Sequence, residues 1–151
     1  MDDCIFCAIV KRNSPCHLIW EDEKHMAFLS IFPNTQGVSV VIPKAHQPSY
    51  VFSVADEVLT DLMIATKKVA KLLDEKLDDV GRTGMIFEGF GVDHLHAKLF
   101  PMHGTKVKDE WRQRISIVKT YNELYDGHLS SHDGERADDE ELALLAKKIR
   151  E

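Results

Sequence analysis

Two histidines and a lysine at alternating positions, His94, His96 and Lys98, are the residues of this sequence best suited to chemistry. In a β-strand, side chains two residues apart point to the same face, so a strand here would align both imidazoles and the ammonium on one surface. Near neutral pH an imidazole serves as a nucleophile, a general base or a metal ligand, and such a row suits a phosphate. The alternative is a sheet whose polar face meets solvent, and alternation alone does not separate the two interpretations.

A second group with chemical potential is the cysteine pair Cys4 and Cys7, which has the spacing of half a zinc site. The same spacing also fits a redox pair or two small core residues. A structural zinc needs two further ligands, and the candidates are His46 and His94. By residue type and spacing alone, all three interpretations stay open.

The elements that must position these residues are short strands and one long helix. Residues 4–10 (CIFCAIV) form either a short helix or a buried strand. From Leu59 to Leu77 apolar residues recur at helical spacing, and Ser53 with Asp56 three residues later has the pattern of an N-cap and its capping box. Strands are predicted at His17–Trp20, Met26–Ile31, Val38–Pro43, Thr83–Phe87 and Asp93–Phe100. The predicted fold class is α+β: an antiparallel meander sheet packed with one long helix, plus a C-terminal extension that ends in a helix.

The chain is expected to form a single domain over residues 1–151, with a core at 4–103 and an extension at 104–151. In the extension, Trp111–Val118 is a candidate strand, and Asp138–Arg150 reads as a final helix whose acidic start and basic end suit the helix dipole. His128 and His132 lie four residues apart beside a turn-like stretch and make a weaker metal pair than the ligands above.

The composition of the chain limits the kinds of partner that it is expected to bind and the cellular compartment in which it is expected. The 151 residues are 44% hydrophobic and 29% charged, with a formal net charge of −6, which argues against a general binder of nucleic acid polymers. No apolar run is long enough for a membrane span. The acidic start Met1-Asp2-Asp3 lacks the features of a signal peptide, and three cysteines do not make a disulfide framework. A cytoplasmic protein is therefore expected.

Five segments, in this order and spacing, resemble the histidine triad (HIT) family of nucleotide hydrolases and transferases. No single segment is decisive, but their combination is specific. The segments are Cys4–Ile9 (CIFCAI), Ile19–Asp22 (IWED), Ala27–Leu29 (AFL), Val41–His46 (VIPKAH) and His94–His96 (HLH).

The resemblance implies an enzyme whose nucleophile is the middle histidine of the family's His-x-His-x-His pattern, which is His96 here. It would attack the α-phosphate of a dinucleoside polyphosphate or a nucleoside phosphoramidate and form a nucleotidyl-histidine that water or another acceptor resolves. The third histidine is replaced by Lys98, which is either a fixed cation for the transferring phosphate or a side chain directed to solvent. The alternative function is a non-catalytic nucleotide-binding regulatory module.

The zinc-bearing branch of the family implies a structural zinc held by Cys4, Cys7, His46 and His94. It would pin the N-terminus against the catalytic strand. A homodimer through the helix and the adjoining strand is also implied, and Trp111 is a candidate to reach the partner's site.

The family's nucleoside pocket maps to four apolar residues that are equally suited to a plain core: Phe6, Ile9, Phe28 and Ile31. Ser30 stands where the family commonly has an acidic or amide residue for the ribose hydroxyls. The loop over residues 88–93 also departs from the family, since it lacks the usual polar side chains, although its glycines can present backbone N–H groups to a phosphate.

Overall fold

A computed structural model describes residues 4–106 and 136–151 of the chain. Five strands form one antiparallel sheet in the order β1-β2-β3-β5-β4. The strands are β1 (His17–Glu21), β2 (His25–Leu29), β3 (Ser39–Pro43), β4 (Thr83–Ile86) and β5 (Ala97–Pro101). The helices are α1 (Ile5–Val10), α2 (Asp56–Lys76) and α3 (Asp139–Arg150), with a single 3-10 turn at Val51–Ser53. The predicted α+β class, with one long helix on an antiparallel sheet and a helix at the C-terminal end, is confirmed.

Both faces of the sheet are covered, which explains why every residue of β2 and β3 is buried. On one face, alternate residues such as Ala27, Val41 and Leu99 pack in one apolar cluster with the inner sides of α2 and α3. On the other face, Phe28 and Val40 belong to a second cluster, which includes Ile9 of α1. The period of two therefore assigns the central residues of β2 and β3 alternately to the two clusters.

The segment at residues 4–10, for which helix and strand were both open, forms α1. Cys4 is its N-cap residue, and its sulfur accepts a hydrogen bond from the backbone N–H of Cys7 at 3.4 Å. The first cysteine of the pair thus also begins the helix that carries the second.

The predicted N-cap of α2 is wrong. The helix begins at Asp56 with Ala55 as its N-cap residue and no side-chain cap bond. The Ser53 hydroxyl instead donates to the carbonyl of Tyr50 at 2.8 Å, within the 3-10 turn that precedes the helix. A hydrogen bond from a serine hydroxyl to the nearby backbone competes with helix capping. Ser53 therefore stabilises the 3-10 turn and does not cap α2.

Strand β5 begins at Ala97, not at Asp93, so His94 and His96 precede the strand that was expected to hold them. The cause is that β3 ends at Pro43, and the N–H of Leu95 donates to Gln47 in the following loop at 2.9 Å. The predicted alternation nevertheless continues through this segment, since the three apolar residues Leu95, Ala97 and Leu99 all enter the main core.

Strand β2 ends at Leu29, two residues before the predicted end. The N–H of Ser30 still donates to Val38 at 2.8 Å, but the chain then turns away from the sheet.

The predicted C-terminal helix is confirmed as α3. The Asp138 carboxylate caps it by accepting the N–H groups of Glu140 and Glu141 at 2.9 and 3.1 Å. Its apolar residues Leu142, Ala146 and Ile149 belong to the main core cluster beneath the sheet. The predicted strand Trp111–Val118 and the pair His128 and His132 lie outside the described residues. Within the described ranges, no helix combines the length and apolarity needed to cross a membrane.

Two leucine-sized residues of α3 test whether this helix is part of the core. Ile149 is 0% exposed and Leu144 is 71% exposed. We expect Ile149→Ala to lower the free energy of unfolding by about 2–5 kcal/mol, because it leaves a cavity in the core. Leu144→Ala on the same helix should change it by no more than about 0.5 kcal/mol. Urea unfolding of both variants measures the difference; equal effects would show that α3 is not docked as described.

Candidate functional site

His96 lies just before β5 and is 3% exposed. Its Nδ1 is 2.7 Å from the carbonyl oxygen of His94. Because a carbonyl can only accept, Nδ1 carries the proton and the neutral ring keeps its lone pair on Nε2. Burial lowers the pKa of His96, and the ammonium of Lys98 lowers it further, against the opposing effects of the His94 carbonyl and of Glu88. The site therefore presents a neutral imidazole in the tautomer that a nucleophile requires.

The ring of Phe6, on α1, forms one wall beside this imidazole. The Phe6 ring meets His96 edge-on with centroids 5.5 Å apart, and it meets Phe28 of β2 at the same distance. Ile9 and Phe28 are buried in the cluster against which Phe6 packs. Three of the four predicted pocket residues thus share the sheet face of His96, and they also serve as core for α1.

The fourth apolar residue, Ile31, and its neighbour Ser30, predicted near the ribose hydroxyls, lie in the turn after β2. The Ser30 hydroxyl accepts the N–H of Phe32 at 3.1 Å and keeps its own O–H as a donor. Ile31 is exposed, and its carbonyl accepts the N–H of Ala137 just before α3. This turn is therefore shaped by the C-terminal helix as well as by the sheet.

The four predicted metal ligands, Cys4, Cys7, His46 and His94, come together in one cluster. Their ligand atoms all lie within 4.8 Å of one another. The His94 Nδ1 is 3.5 Å from Cys4 Sγ and 3.6 Å from Cys7 Sγ, and the His46 Nδ1 is 3.4 Å from Cys7 Sγ. A tetrahedral zinc with ordinary Zn–S and Zn–N bonds has sulfur–nitrogen edges of about 3.5 Å, so the donor set fits the ion.

The protonation of His94 also suits a metal ligand. Its Nε2 is 2.8 Å from the carbonyl of Pro43, which fixes the proton on Nε2 and aims the Nδ1 lone pair at the sulfurs. Burial lowers the pKa of His94, and the rings of His46 and His96 lower it further, so the imidazole is neutral. Burial raises the pKa of the Cys7 thiol, and a metal cation would reverse that by binding the thiolate.

The segment that carries both histidines is anchored by the loop that follows β3. The Asp93 carboxylate accepts the N–H of Ser49 at 3.0 Å. Gly89 has a φ of +73°, and a Cβ there would lie 3.1 Å from the carbonyl oxygen of Ser49. Glycine is required at this approach, because another side chain would meet both backbone strain and the neighbouring loop.

The side chain of Lys98 is directed to a carboxylate and not to open solvent. Its ammonium forms an ion pair with Glu88, and the two side chains are only 19% and 7% exposed. Glu88 was missed from the sequence, where it counted only as part of a loop that departs from the family. The signal lies in strand pairing: β4 and β5 pair Met85 with Leu99 and Ile86 with Lys98, so the same register continued for two residues sets Glu88 opposite His96.

Comparison with known proteins found a family model and a relative of known name that match this sequence. The family model described as HIT domain matches residues 11–105. A protein named adenosine 5'-monophosphoramidase from Schizosaccharomyces pombe is 37% identical over 99 residues, which are 65% of this chain and 73% of that protein.

Solved structures show the same fold. A Streptococcus mutans protein is 30% identical with a TM-score of 0.64, and the match covers 82% of this chain and 77% of that one. A zinc-bound histidine triad family protein from Mycobacterium smegmatis has a TM-score of 0.71 at 21% identity, over 99% of this chain and 91% of that one.

Proposed function

This chain belongs to the histidine triad (HIT) family, and from that premise we propose that it is a hydrolase of nucleoside phosphoramidates or dinucleoside polyphosphates with His96 as its nucleophile. The observation that carries the proposal is the buried neutral imidazole whose Nδ1–H is held by the His94 carbonyl at 2.7 Å. With the proton held on Nδ1, the lone pair of Nε2 is left as the nucleophile, and Lys98, two residues further on, supplies an ammonium for a phosphate.

In the first step, Nε2 of His96 attacks the α-phosphorus of a nucleoside phosphoramidate. A nitrogen–phosphorus bond forms to His96, and the bond from phosphorus to the leaving nitrogen breaks. The leaving nitrogen takes the electron pair and a proton from water, and departs as an amine. The His94 carbonyl stabilises the positive charge that develops on the ring, because it accepts the Nδ1–H throughout.

In the second step, water attacks the same phosphorus and the bond to Nε2 breaks. The electron pair returns to the imidazole, the water loses a proton to solvent, and a nucleoside monophosphate is released. Splitting one displacement into two is what a nucleophilic side chain contributes. Whether a different acceptor replaces water depends on what can enter the site.

Phe6, Ile9, Phe28 and Ile31 are proposed to bind the nucleoside, with Ser30 near the ribose hydroxyls. The contact between the rings of Phe6 and His96 supports this, since a nucleoside linked to a phosphate at His96 would lie against Phe6. The name of the Schizosaccharomyces pombe relative makes adenosine 5'-phosphoramidate the first substrate to test.

A structural zinc is proposed at Cys4, Cys7, His46 and His94. The sulfur–nitrogen distances of 3.4 to 3.6 Å support it, as does the zinc-bound state of the Mycobacterium smegmatis protein. The ion would tie the N-cap of α1 to the residue whose carbonyl orients His96, and it would supply no chemistry to the phosphate.

We further propose a cytoplasmic homodimer in which residues 4–103 form the core and 104–151 the extension of one domain. Within the described sheet β4 is an edge strand, with Met85 exposed, and α2 exposes Met63 and Ile64. Exposed apolar residues on a sheet edge and on its covering helix suit a two-fold contact.

A non-catalytic nucleotide-binding module is the second candidate. The ion pair of Lys98 with Glu88 favours it to some extent, because it offsets the positive charge that a phosphate would meet. The two candidates differ in what His96 does, which the following variant measures.

We expect His96→Ala to lower the turnover of adenosine 5'-phosphoramidate by at least about a thousandfold, because no other group replaces the nucleophile. Nucleotide should still raise the melting temperature of the variant. His103→Gln, which changes a histidine bonded to Gln36 and Asp79 elsewhere, is the control and should keep full turnover. Turnover that survives in His96→Ala would exclude the nucleophile, and an inactive wild type that still binds nucleotide would favour the binding module.

Metal content is expected to be about one zinc per chain, lost in Cys7→Ser together with a clear drop in melting temperature. Cys16→Ser, at a cysteine outside the cluster, is the matched control and should keep the ion. Elemental analysis of the purified proteins measures both. A wild type of equal stability with and without chelator would show that the cluster does not hold a structural metal.

A further inference from the structure

Lys98 and Glu88 form a largely buried ion pair on the sheet face that holds His96. The exposed fractions of the two side chains are 19% and 7%, which sets this pair apart from the exposed pair of Lys24 with Asp61, at 69% and 47%. Removing two charges from water costs free energy that an ordinary surface pair does not incur. A gain in stability therefore does not by itself explain a largely buried ion pair close to His96.

The pairing of β4 with β5 indicates on which side of Lys98 its partner Glu88 lies. Lys98 pairs with Ile86 in the last described step of the β4–β5 ladder, so Glu88 lies two residues further toward His96. Lys98 therefore reaches its partner diagonally, on the side of the nucleophile.

The sheet face that carries Lys98 also has an apolar groove that the aliphatic part of this side chain can contact. Beyond Lys98 along β5 lies a groove of about 570 Å³, whose walls include Ile86, Phe100 and Met102. An unbranched lysine stem packs well on apolar side chains such as these. Without the Glu88 carboxylate, the aliphatic part of the Lys98 side chain can pack in this groove. The ammonium would then lie further from His96 and from the reacting phosphate.

We propose that Glu88 is a positioning residue that holds the Lys98 ammonium beside His96, where the transferring phosphate arrives. The inference rests on the proposed function and adds to it a residue outside the family's histidine pattern. An ammonium has three donors, so Lys98 can keep its bond to Glu88 while it donates to a phosphate oxygen. The carboxylate also compensates the buried positive charge when no phosphate is present.

The first test is the pair of kinetic constants of Glu88→Gln for adenosine 5'-phosphoramidate. We expect kcat to fall at least about tenfold with KM within about threefold, because the ammonium acts on charge that develops in the transition state. Lys98→Met should show the same pattern. If the loss in Glu88→Gln comes from a displaced ammonium, the double variant should have the same kcat as Lys98→Met alone. Asp61→Asn makes the same change of a carboxylate to an amide in the exposed pair with Lys24, and should leave both constants unchanged.

The second test exchanges the charges, with Glu88→Lys and Lys98→Glu in one protein. If the pair only stabilises the fold, the exchange restores both the melting temperature and turnover. If Glu88 positions the ammonium, the exchange restores the melting temperature but not turnover, because a carboxylate at residue 98 faces the phosphate.

Restored turnover in the exchanged protein, or an unchanged kcat in Glu88→Gln, would overturn the inference. If either is found while His96→Ala is inactive, the positioning role fails and the proposed function stands. If His96→Ala keeps the turnover of the wild type, or if the wild type has none, both fail together.

Discussion

The hydrogen bond from Nδ1 of His96 to the carbonyl oxygen of His94, 2.7 Å long, is the interaction on which the site depends. It decides which nitrogen of His96 carries the proton and where the other one points. A backbone carbonyl is not protonated near neutral pH, and it cannot rotate independently of its chain. This hydrogen-bond partner is therefore more rigid than a side chain would be. The rest of the structure serves to keep that carbonyl in place.

His94 is held from two sides. Its ring donates from Nε2 to Pro43 at the end of β3, and its Nδ1 faces Cys4 and Cys7 on α1. A zinc ion at this cluster would join the N-terminal helix, the end of β3 and His94, two residues before His96, into one rigid unit. A helix of six residues is thereby connected, through its N-cap residue Cys4, to His94, which lies 90 residues later in the chain.

Much of this arrangement was predictable from the sequence, because strong periodicity and residue order fix the elements. The alternation around His94 predicted which of its neighbours enter the core, and the family resemblance implied the four residues that form the cysteine–histidine cluster. Two local predictions were wrong. Strand β5 was expected to begin at Asp93, whereas the N–H of Leu95 donates to the loop after β3 and not to a neighbouring strand. Ser53 was expected to cap α2, whereas it bonds within its own turn. Such choices depend on which backbone group a neighbour offers, and a single segment does not reveal that.

Glu88 shows a different limit of sequence reasoning. Its partner Lys98 was singled out, but the two residues are ten apart and the pair exists only through the register of β4 with β5. Register follows from which faces are buried across the whole sheet, so it becomes available only once the strands are paired. Motif comparison, which reads Glu88 as a departure from the family loop, gives no signal at all.

The central claim is that two displacements at phosphorus occur in sequence, with His96 as the first nucleophile. The most direct measurement is the configuration at phosphorus after hydrolysis of an adenosine 5'-phosphorothioamidate of known chirality in water labelled with oxygen-18. Each displacement inverts the phosphorus, so the account predicts a nucleoside phosphorothioate formed with overall retention. Overall inversion would mean that water attacks the substrate directly, and it would contradict a covalent intermediate at His96.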